Sequence, residues 1–310
     1  MGRFQKVHYP TLSCRMPEES GKSSTFAVME HDLEHLYRSV CRILQQQQSG
    51  PSEAQAVAFA LLDDLFGASR TDVLMGRCIR LDADGEVRLQ RAIAALEGGQ
   101  PLQYATGKAR FCGKCFEVNA SVLIPRPETE LLVALACGCG PQRVLDCGTG
   151  SGCIAVSVAL ALPDVRVDAW DISAEALAVA RRNARMHGAN VRFCQRDMLQ
   201  LPARRRAVYD VIVSNPPYIC RSEEKDMEAH VKDCEPHLAL FVPDDDPLRF
   251  YVALAALGRM RLKRGGSLLL ECNRRYADAV AAMLESGGYT GCEVVADCFG
   301  APRMVRATLG

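Results

Sequence analysis

The sequence predicts an α/β chain: an open, mostly parallel sheet with helices on both faces, preceded by a small all-helical domain and a β-hairpin linker. Three observations carry this. Short apolar runs alternate with helix-period stretches from about residue 126 onward, which is the pattern of βαβ units. A glycine-rich turn, Gly148-Thr149-Gly150-Ser151-Gly152, joins one such run to a helix. Before residue 100 the apolar positions recur at helical spacing.

Residues 1–24 are polar, contain prolines and a Ser20-Gly-Lys-Ser-Ser24 run, and read as a disordered extension. A helical domain is expected over residues 25–100. Its first helix carries Met29, Leu33, Leu36, Tyr37, Val40 and Leu44, and it ends near Gln45–Gln48 and Gly50-Pro51. A capping box from Ser52 to Gln55 opens the second, which runs through Phe66 and closes at Gly67. Turns follow around Arg70–Leu74, and a further helix spans Val87 to Leu96 before Gly98-Gly99. This domain has no chemical motif, so docking and simple stabilisation are its two candidate roles.

Residues 101–125 are the linker, in which Arg110 to Val118 alternates as a hairpin. The third unit covers residues 126–310. A helix to about Ala136 leads into strands at 143–147, 165–170, 191–194, 208–214, 267–271, 291–296 and 304–309. Helices are expected at 152–162, 174–187, 248–262 and 277–286. The short connection between the last two strands makes that pair antiparallel. Seven strands result, in a Rossmann-like sheet.

With 310 residues, 48% of them hydrophobic, the chain can bury a large core as one big domain or two smaller ones. Its formal net charge of zero argues against long tracts of nucleic acid as a stable partner. The basic positions Arg181, Arg182, Arg185, Arg192, Arg196 and Arg204–Arg206 read as a solvated helix face and turn, with a weak RNA-facing patch as the alternative. Fifteen cysteines without a signal peptide indicate reduced thiols and a cytoplasmic protein. The longest apolar run, Ile154 to Leu162, is too short to span a bilayer. Cys112/Cys115 and Cys137/Cys139 have the short spacing of zinc ligands. In a hairpin, though, cysteine serves as a small hydrophobe, so no metal is expected.

The chemistry is concentrated at strand ends, where open α/β folds bind ligands. Val144 to Cys147 delivers the glycine loop to a helix N-terminus; there Gly148, Thr149, Gly150, Ser151 and Gly152 let backbone approach a ligand closely. The spacing is G-x-G-x-G with Asp146 before it, unlike a dinucleotide fingerprint. That carboxylate would repel a pyrophosphate. The next strand ends in Asp171, about 20 residues past the loop, where an acidic side chain accepts from ribose hydroxyls. Asp197 and Met198 follow the third strand, placed for an adenine amino group and ring face. The strand Tyr209–Ser214 ends in Asn215-Pro216-Pro217-Tyr218. Asn215 offers an acceptor oxygen, the prolines offer no N–H, and Tyr218 offers a ring to stack on a flat amide or base. Together these features indicate S-adenosyl-L-methionine as cofactor, and hence a seven-stranded class I methyltransferase domain.

With those residues in place, the chain resembles the PrmC/HemK-type glutamine-N5 methyltransferases of peptide-chain release factors over roughly residues 28–309. The most specific stretch is Leu123-Ile-Pro-Arg-Pro-Glu-Thr-Glu130, with Gly99 to Gly107 before it. The Asp146–Gly152 loop, Ser214 to Ile219, Glu235-Pro236 and the closing Arg303–Leu309 stretch also fit. The resemblance implies that Gly148–Gly152 hold the methionine end of the cofactor, Asp171 the ribose, and Asp197 with Met198 the adenine. It implies that Asn215, Pro216, Pro217 and Tyr218 bind and position a glutamine amide, with Asn215 also at the cofactor's edge. The acceptor it implies is the glutamine of a Gly-Gly-Gln loop in class-1 release factors. Asn273, Tyr276 and Asp246-Pro247 depart from the family pattern, away from the cofactor motifs in sequence.

The expected mechanism is positioning and electrostatics. The Asn215 oxygen and the Pro216 carbonyl accept the two amide N–H bonds, and no histidine in a motif supplies a general base. The other classes weighed are a ribosomal-protein glutamine methyltransferase, an adenine or guanine N-methyltransferase of nucleic acid, and a non-enzymatic cofactor-binding docking protein.

Overall fold

The structure, a computed structural model, describes residues 29–46, 50–201, 203–204, 206–297 and 299–310. The expectation for residues 1–24 lies outside the described residues.

Among the described residues four helices make the N-terminal unit: α1 (Leu33–Gln46), α2 (Pro51–Phe66), α3 (Arg70–Leu74) and α4 (Ala83–Glu97). They are laced by a ribbon in which Met29–Asp32 pairs antiparallel with Cys78–Leu81. The unit is therefore not purely helical, and Met29 lies on a strand rather than on the first helix. Asp32 explains the break, because its Oδ1 accepts from the backbone N–H of Glu34 at 2.7 Å and of His35 at 3.2 Å. That is an N-terminal cap, and it starts the helix at Leu33. The second helix opens one residue before the expected capping box. Gly50 is its N-cap, Pro51 occupies its first turn, and no side chain caps it; proline's fixed φ suits that position. In this unit a capping box forms instead at Ser69, where Ser69 and Asp72 exchange side-chain-to-backbone bonds and wind Arg70–Leu74 into a helix rather than turns. Gly67 closes α2 in the left-handed conformation, as expected.

The short helix α5 (Leu102–Thr106) leads into the hairpin of Lys108–Phe111 and Lys114–Glu117. Cys112 and Gly113 turn it with φ of 48° and 69°, the signs that a two-residue hairpin loop needs. Phe111 and Phe116 are buried in one core with Leu132, Ile154 and Val213. This segment is thus packed onto the sheet domain, not strung between units.

The main sheet has strands β1 (Arg143–Cys147), β2 (Arg166–Asp171), β3 (Val191–Gln195), β4 (Tyr209–Ser214), β5 (Leu262–Glu271), β6 (Tyr289–Ala296) and β7 (Pro302–Leu309), numbered within this sheet. Their spatial order is β6-β7-β5-β4-β1-β2-β3. Strands β1 to β5 run parallel, and β7 is antiparallel to both β5 and β6. Helices α6 (Glu130–Gly138), α7 (Cys153–Ala161) and α8 (Ala174–His187) follow in the chain, and α9 (Ala229–Cys234) and α10 (His237–Leu240) lie beyond β4. Last come α11 (Arg249–Arg261) and α12 (Ala277–Ser286). Val211 and Val213 pack with residues of α6 and α7 on one face, while Ile212 packs with Tyr251 and Leu254 of α11 on the other. Helices therefore cover both faces, which is why the strands read as continuous apolar runs. The parallel alignment brings the carboxyl ends of β1 to β5 to one rim, and the rim holds the site.

Candidate active site

A cleft of about 350 Å³ opens at this rim. Its lining includes Gly148, Thr149, Gly150, Ser151, Asp171, Asp197, Met198, Asn215 and Pro217. The structure therefore gathers nine of the residues expected to form the site. Gly152, Pro216 and Tyr218 are not among the lining residues.

The loop after β1 is shaped by its own hydrogen bonds. The backbone N–H groups of Gly148 and Thr149 both donate to Trp170 O, at 2.8 and 2.9 Å. Gly148 has φ of 73°, and a Cβ there would lie 2.9 Å from Met198 Cε. Gly152 has φ of 81°, and its Cβ would lie 3.0 Å from Ala180 Cβ on α8. Its glycine is accordingly required for helix packing.

Asp171 ends β2. Its Oδ2 accepts from Gly150 N at 2.8 Å and its Oδ1 from Ser173 N at 2.9 Å. Each oxygen retains a lone pair, so the carboxylate holds the loop and still has acceptors for a ligand. Burial pushes its pKa up. Asp146 is fully buried, bonded through Oδ2 to the Thr149 hydroxyl at 2.6 Å, and burial pushes it up to about 7. Asp197 Oδ1 accepts from Leu199 N at 2.8 Å, a local turn that leaves the other oxygen without a partner among the described residues.

Asn215 follows β4, whose last residue, Ser214, donates its hydroxyl to Cys147 O at 2.6 Å and ties the ends of β4 and β1 together. The Asn215 Nδ2 donates to Thr129 Oγ1 at 3.3 Å. Thr129 Oγ1 in turn donates to Glu271 Oε2 at 2.7 Å, and the Tyr218 hydroxyl reaches Glu271 Oε1 at 3.3 Å. Burial pushes Glu271 up to about 7. Burial, and then the charge of Glu271, push the Tyr218 phenol up. Tyr218 packs its ring against the core beneath the sheet rim.

Four side chains that build this site have no role assigned to them in the sequence reading. Thr129 and Glu271 are two, and the parallel register of Ser214 with Leu270 explains them by setting Glu271 beside Asn215. Buried Glu235 is the third; it accepts from Ile124 N at 3.3 Å and forms an ion pair with Arg126, holding the Leu123–Arg126 segment over the cleft. Asn183 is the fourth. It donates to Glu117 O and Ser151 O at 2.9 and 2.8 Å and accepts from Glu117 N at 2.7 Å, stitching the hairpin to the glycine loop. Glu235 lies in the Glu235-Pro236 stretch that the resemblance already marks; Asn183, inside a helix, gives no local signal. Asn273 and Tyr276, which depart from the family pattern, lie beside the acceptor turn and outside the cofactor loop: Asn273 Nδ2 comes within 3.5 Å of Tyr218 O and the Tyr276 hydroxyl within 3.4 Å of Cys220 Sγ.

The sequence matches known proteins. Residues 121–238 match the methyltransferase small domain, and residues 35–107 match the PrmC N-terminal domain. A release factor glutamine methyltransferase of Bacteroides thetaiotaomicron is 46% identical over 83% of this chain and 93% of its own length. One from Flavobacterium psychrophilum is 34% identical over 82% of this chain and 91% of its own. The chain belongs to the release factor glutamine methyltransferase family. It is an S-adenosyl-L-methionine-dependent methyltransferase, as the glycine loop, Asp171, Asp197 and the Asn-Pro-Pro-Tyr turn indicate.

The Leu123–Glu130 block now has a physical account in this family member. Glu235 holds Ile124 and Arg126, Pro127 starts a helical turn, Thr129 meets Glu271, and Glu130 accepts from Cys112 N at 2.8 Å. Each polar residue of the motif except Glu128 anchors a different neighbour. Among the described residues no helix is long and apolar enough to cross a membrane.

Proposed function

We propose that this chain methylates the N5 side-chain amide of the Gly-Gly-Gln glutamine in class-1 release factors, in the cytoplasm. The observation that carries the reading is Asn215. Its Nδ2 is occupied by Thr129, so its Oδ1 is left for the N–H of an incoming amide at a cleft with S-adenosylmethionine chemistry.

The cleft fits that cofactor. Gly150 lines it, and a Cβ built on this residue meets no atom within 4 Å, so backbone without side chain faces the space. Asp171 supplies acceptors for a ribose diol, Asp197 with Met198 supplies an acceptor and an apolar contact for adenine, and Gly148–Ser151 form the floor for the amino-acid end. Gly152 belongs to the loop through packing. The Asp171 carboxylate, which lines the cleft, is unsuited to a polyphosphate.

Bound there, the cofactor supplies an electrophilic methyl group on sulfonium sulfur. The remaining task is to present a poor nucleophile. Asn215 Oδ1 and the Pro216 carbonyl accept the two amide N–H bonds, which turns the nitrogen lone pair toward the methyl group. These contacts strengthen as positive charge develops on nitrogen, so they favour the transition state over the ground state. The Pro216 and Pro217 nitrogens carry no hydrogen, so no donor competes at this turn. Tyr218 braces the turn from beneath through its ring and its bond to Glu271.

On this reading the chain divides into a docking unit to about residue 100, a hairpin segment to 125 that packs on the sheet domain, and a catalytic domain from 126. The N-terminal unit stands outside the cleft and serves to dock the release factor. The test is direct. Labelled S-adenosylmethionine and a purified class-1 release factor are incubated with the protein, and the modified residue is mapped by mass spectrometry. Methylation of the Gly-Gly-Gln glutamine is expected; label only elsewhere, or only on RNA or ribosomal protein, would overturn the reading.

A further inference from the structure

We infer that Thr129 and Glu271 are positioning residues: a buried relay that fixes which end of the Asn215 amide faces the acceptor. The inference rests on the function just proposed and adds to it the device that gives the site its polarity.

An asparagine amide is nearly symmetric in shape, and its oxygen and nitrogen can exchange places by rotation. In this site the exchange would be disabling. With Nδ2 toward the cleft, Asn215 would set its own N–H bonds against those of the glutamine. Something must therefore distinguish the two ends. Thr129 is 3% exposed and Glu271 is 1% exposed, so neither satisfies itself with solvent. Thr129 Oγ1 has one hydrogen, and the 2.7 Å contact with Glu271 Oε2 consumes it. Toward Asn215 the hydroxyl can then only accept. The end of Asn215 that faces Thr129 at 3.3 Å must be the NH₂ group, and the planar amide directs Oδ1 the other way. Among the described residues no group donates to that oxygen.

Glu271 holds the turn at two points. Oε2 governs Asn215 through Thr129, while Oε1 takes the Tyr218 hydroxyl at 3.3 Å. One carboxylate thus constrains both ends of Asn215-Pro216-Pro217-Tyr218. It can do so because β5 runs parallel beside β4 with Leu270 opposite Ser214. Thr129 arrives from a third place in the chain, the helical turn Pro127–Thr129 that precedes α6. None of these side chains needs to touch the methyl group.

The experiment compares Thr129→Val, Thr129→Ser and the parent protein in single-turnover methylation of a class-1 release factor, with binding of S-adenosylhomocysteine measured alongside. Valine keeps the shape and removes the hydroxyl; serine keeps the hydroxyl. The expected result is a fall of about tenfold or more in the transfer rate for valine, below the ~10²–10³ of a group touching the reacting atoms. Substrate KM and S-adenosylhomocysteine affinity should stay within about threefold of the parent, and serine should recover most of the rate. If valine fails to fold, Thr129→Ala, which adds no atom, replaces it with the same outcomes. A valine or alanine variant as fast as the parent overturns the relay, as does a serine variant no faster than valine. A parent protein that leaves the release factor unmethylated overturns the underlying function instead, so the two failures are distinguishable.

Discussion

The Asp171 carboxylate accepts a hydrogen bond from the backbone of Gly150 at 2.8 Å, so the acid expected to meet the ligand also holds the loop that faces it. Asp171→Ala should therefore weaken S-adenosylhomocysteine binding through lost acceptors and a looser loop together. The charge-assisted bonds alone correspond to about 1.5–3 kcal/mol, or more than tenfold in affinity. Calorimetric titration checks this. Unchanged affinity would mean that Asp171 contacts no ligand.

In the same loop, Gly148→Ala should lower both stability and cofactor affinity. The added methyl would come within 2.9 Å of Met198 Cε at a φ of 73°, and left-handed backbone costs a non-glycine residue about 1–2 kcal/mol. Met198 can move its terminus, so the backbone penalty should persist in a Gly148→Ala/Met198→Ala double variant. A double variant with the parent melting temperature would show that the side-chain collision was the whole effect.

The titration of Glu271 gives stability and activity opposite pH dependences. Its pKa is pushed up to about 7 by burial, against about 4.3 for an unperturbed glutamate. The folded state binds this proton more tightly than the unfolded state, so its stabilising contribution is full below about pH 4 and is lost as pH rises to about 7. Activity runs the other way, because only the ionised carboxylate accepts from both Thr129 and Tyr218. Turnover should fall as pH drops through about 7. Asp146 titrates in the same range, so the discriminating comparison is with Glu271→Gln, whose melting temperature should lose part of its dependence between about pH 4 and 7. Superimposable stability profiles for the two proteins would remove Glu271 from this account.

Removing the Asn183 amide should destabilise the protein at a distance from the cleft floor. Asn183 is fully buried and makes three hydrogen bonds to Glu117 and Ser151. Asn183→Leu would leave those backbone groups unpaired, at about 1–3 kcal/mol each. Chemical denaturation should show a loss of several kcal/mol; a change under about 0.5 kcal/mol would mean that water replaces the amide.

What could be read from sequence was whatever announces itself locally. Gly148–Gly152, Asp171, Asp197 and Asn215 each follow an apolar strand, and strand ends of a parallel sheet share one rim by geometry alone. The unread parts are non-local or lack periodicity. Thr129 and Glu271 are 142 residues apart, and Glu271 reaches Asn215 only through the β4–β5 register and the Thr129 hydroxyl. The Met29–Asp32 ribbon has an almost wholly exposed face pattern, so no alternation marks it as a strand. At Ser52 the sequence fitted a capping box, but Pro51 claims the first helical turn and the box has no place to form. Tyr218 was expected at the ligand because an aromatic ring stacks on planar groups; its hydroxyl and ring instead find partners below the rim.

The central claim is that Asn215 acts on the acceptor amide at the moment of transfer. Single-turnover methylation of a class-1 release factor by Asn215→Ala, at saturating cofactor and beside Tyr218→Phe, tests it most directly. The account predicts a fall of ~10²–10³ in rate for Asn215→Ala, a much smaller fall for Tyr218→Phe, and an unchanged melting temperature for Asn215→Ala. An Asn215→Ala protein that transfers methyl as fast as the parent, or a Tyr218→Phe protein that is the slower of the two, would contradict it.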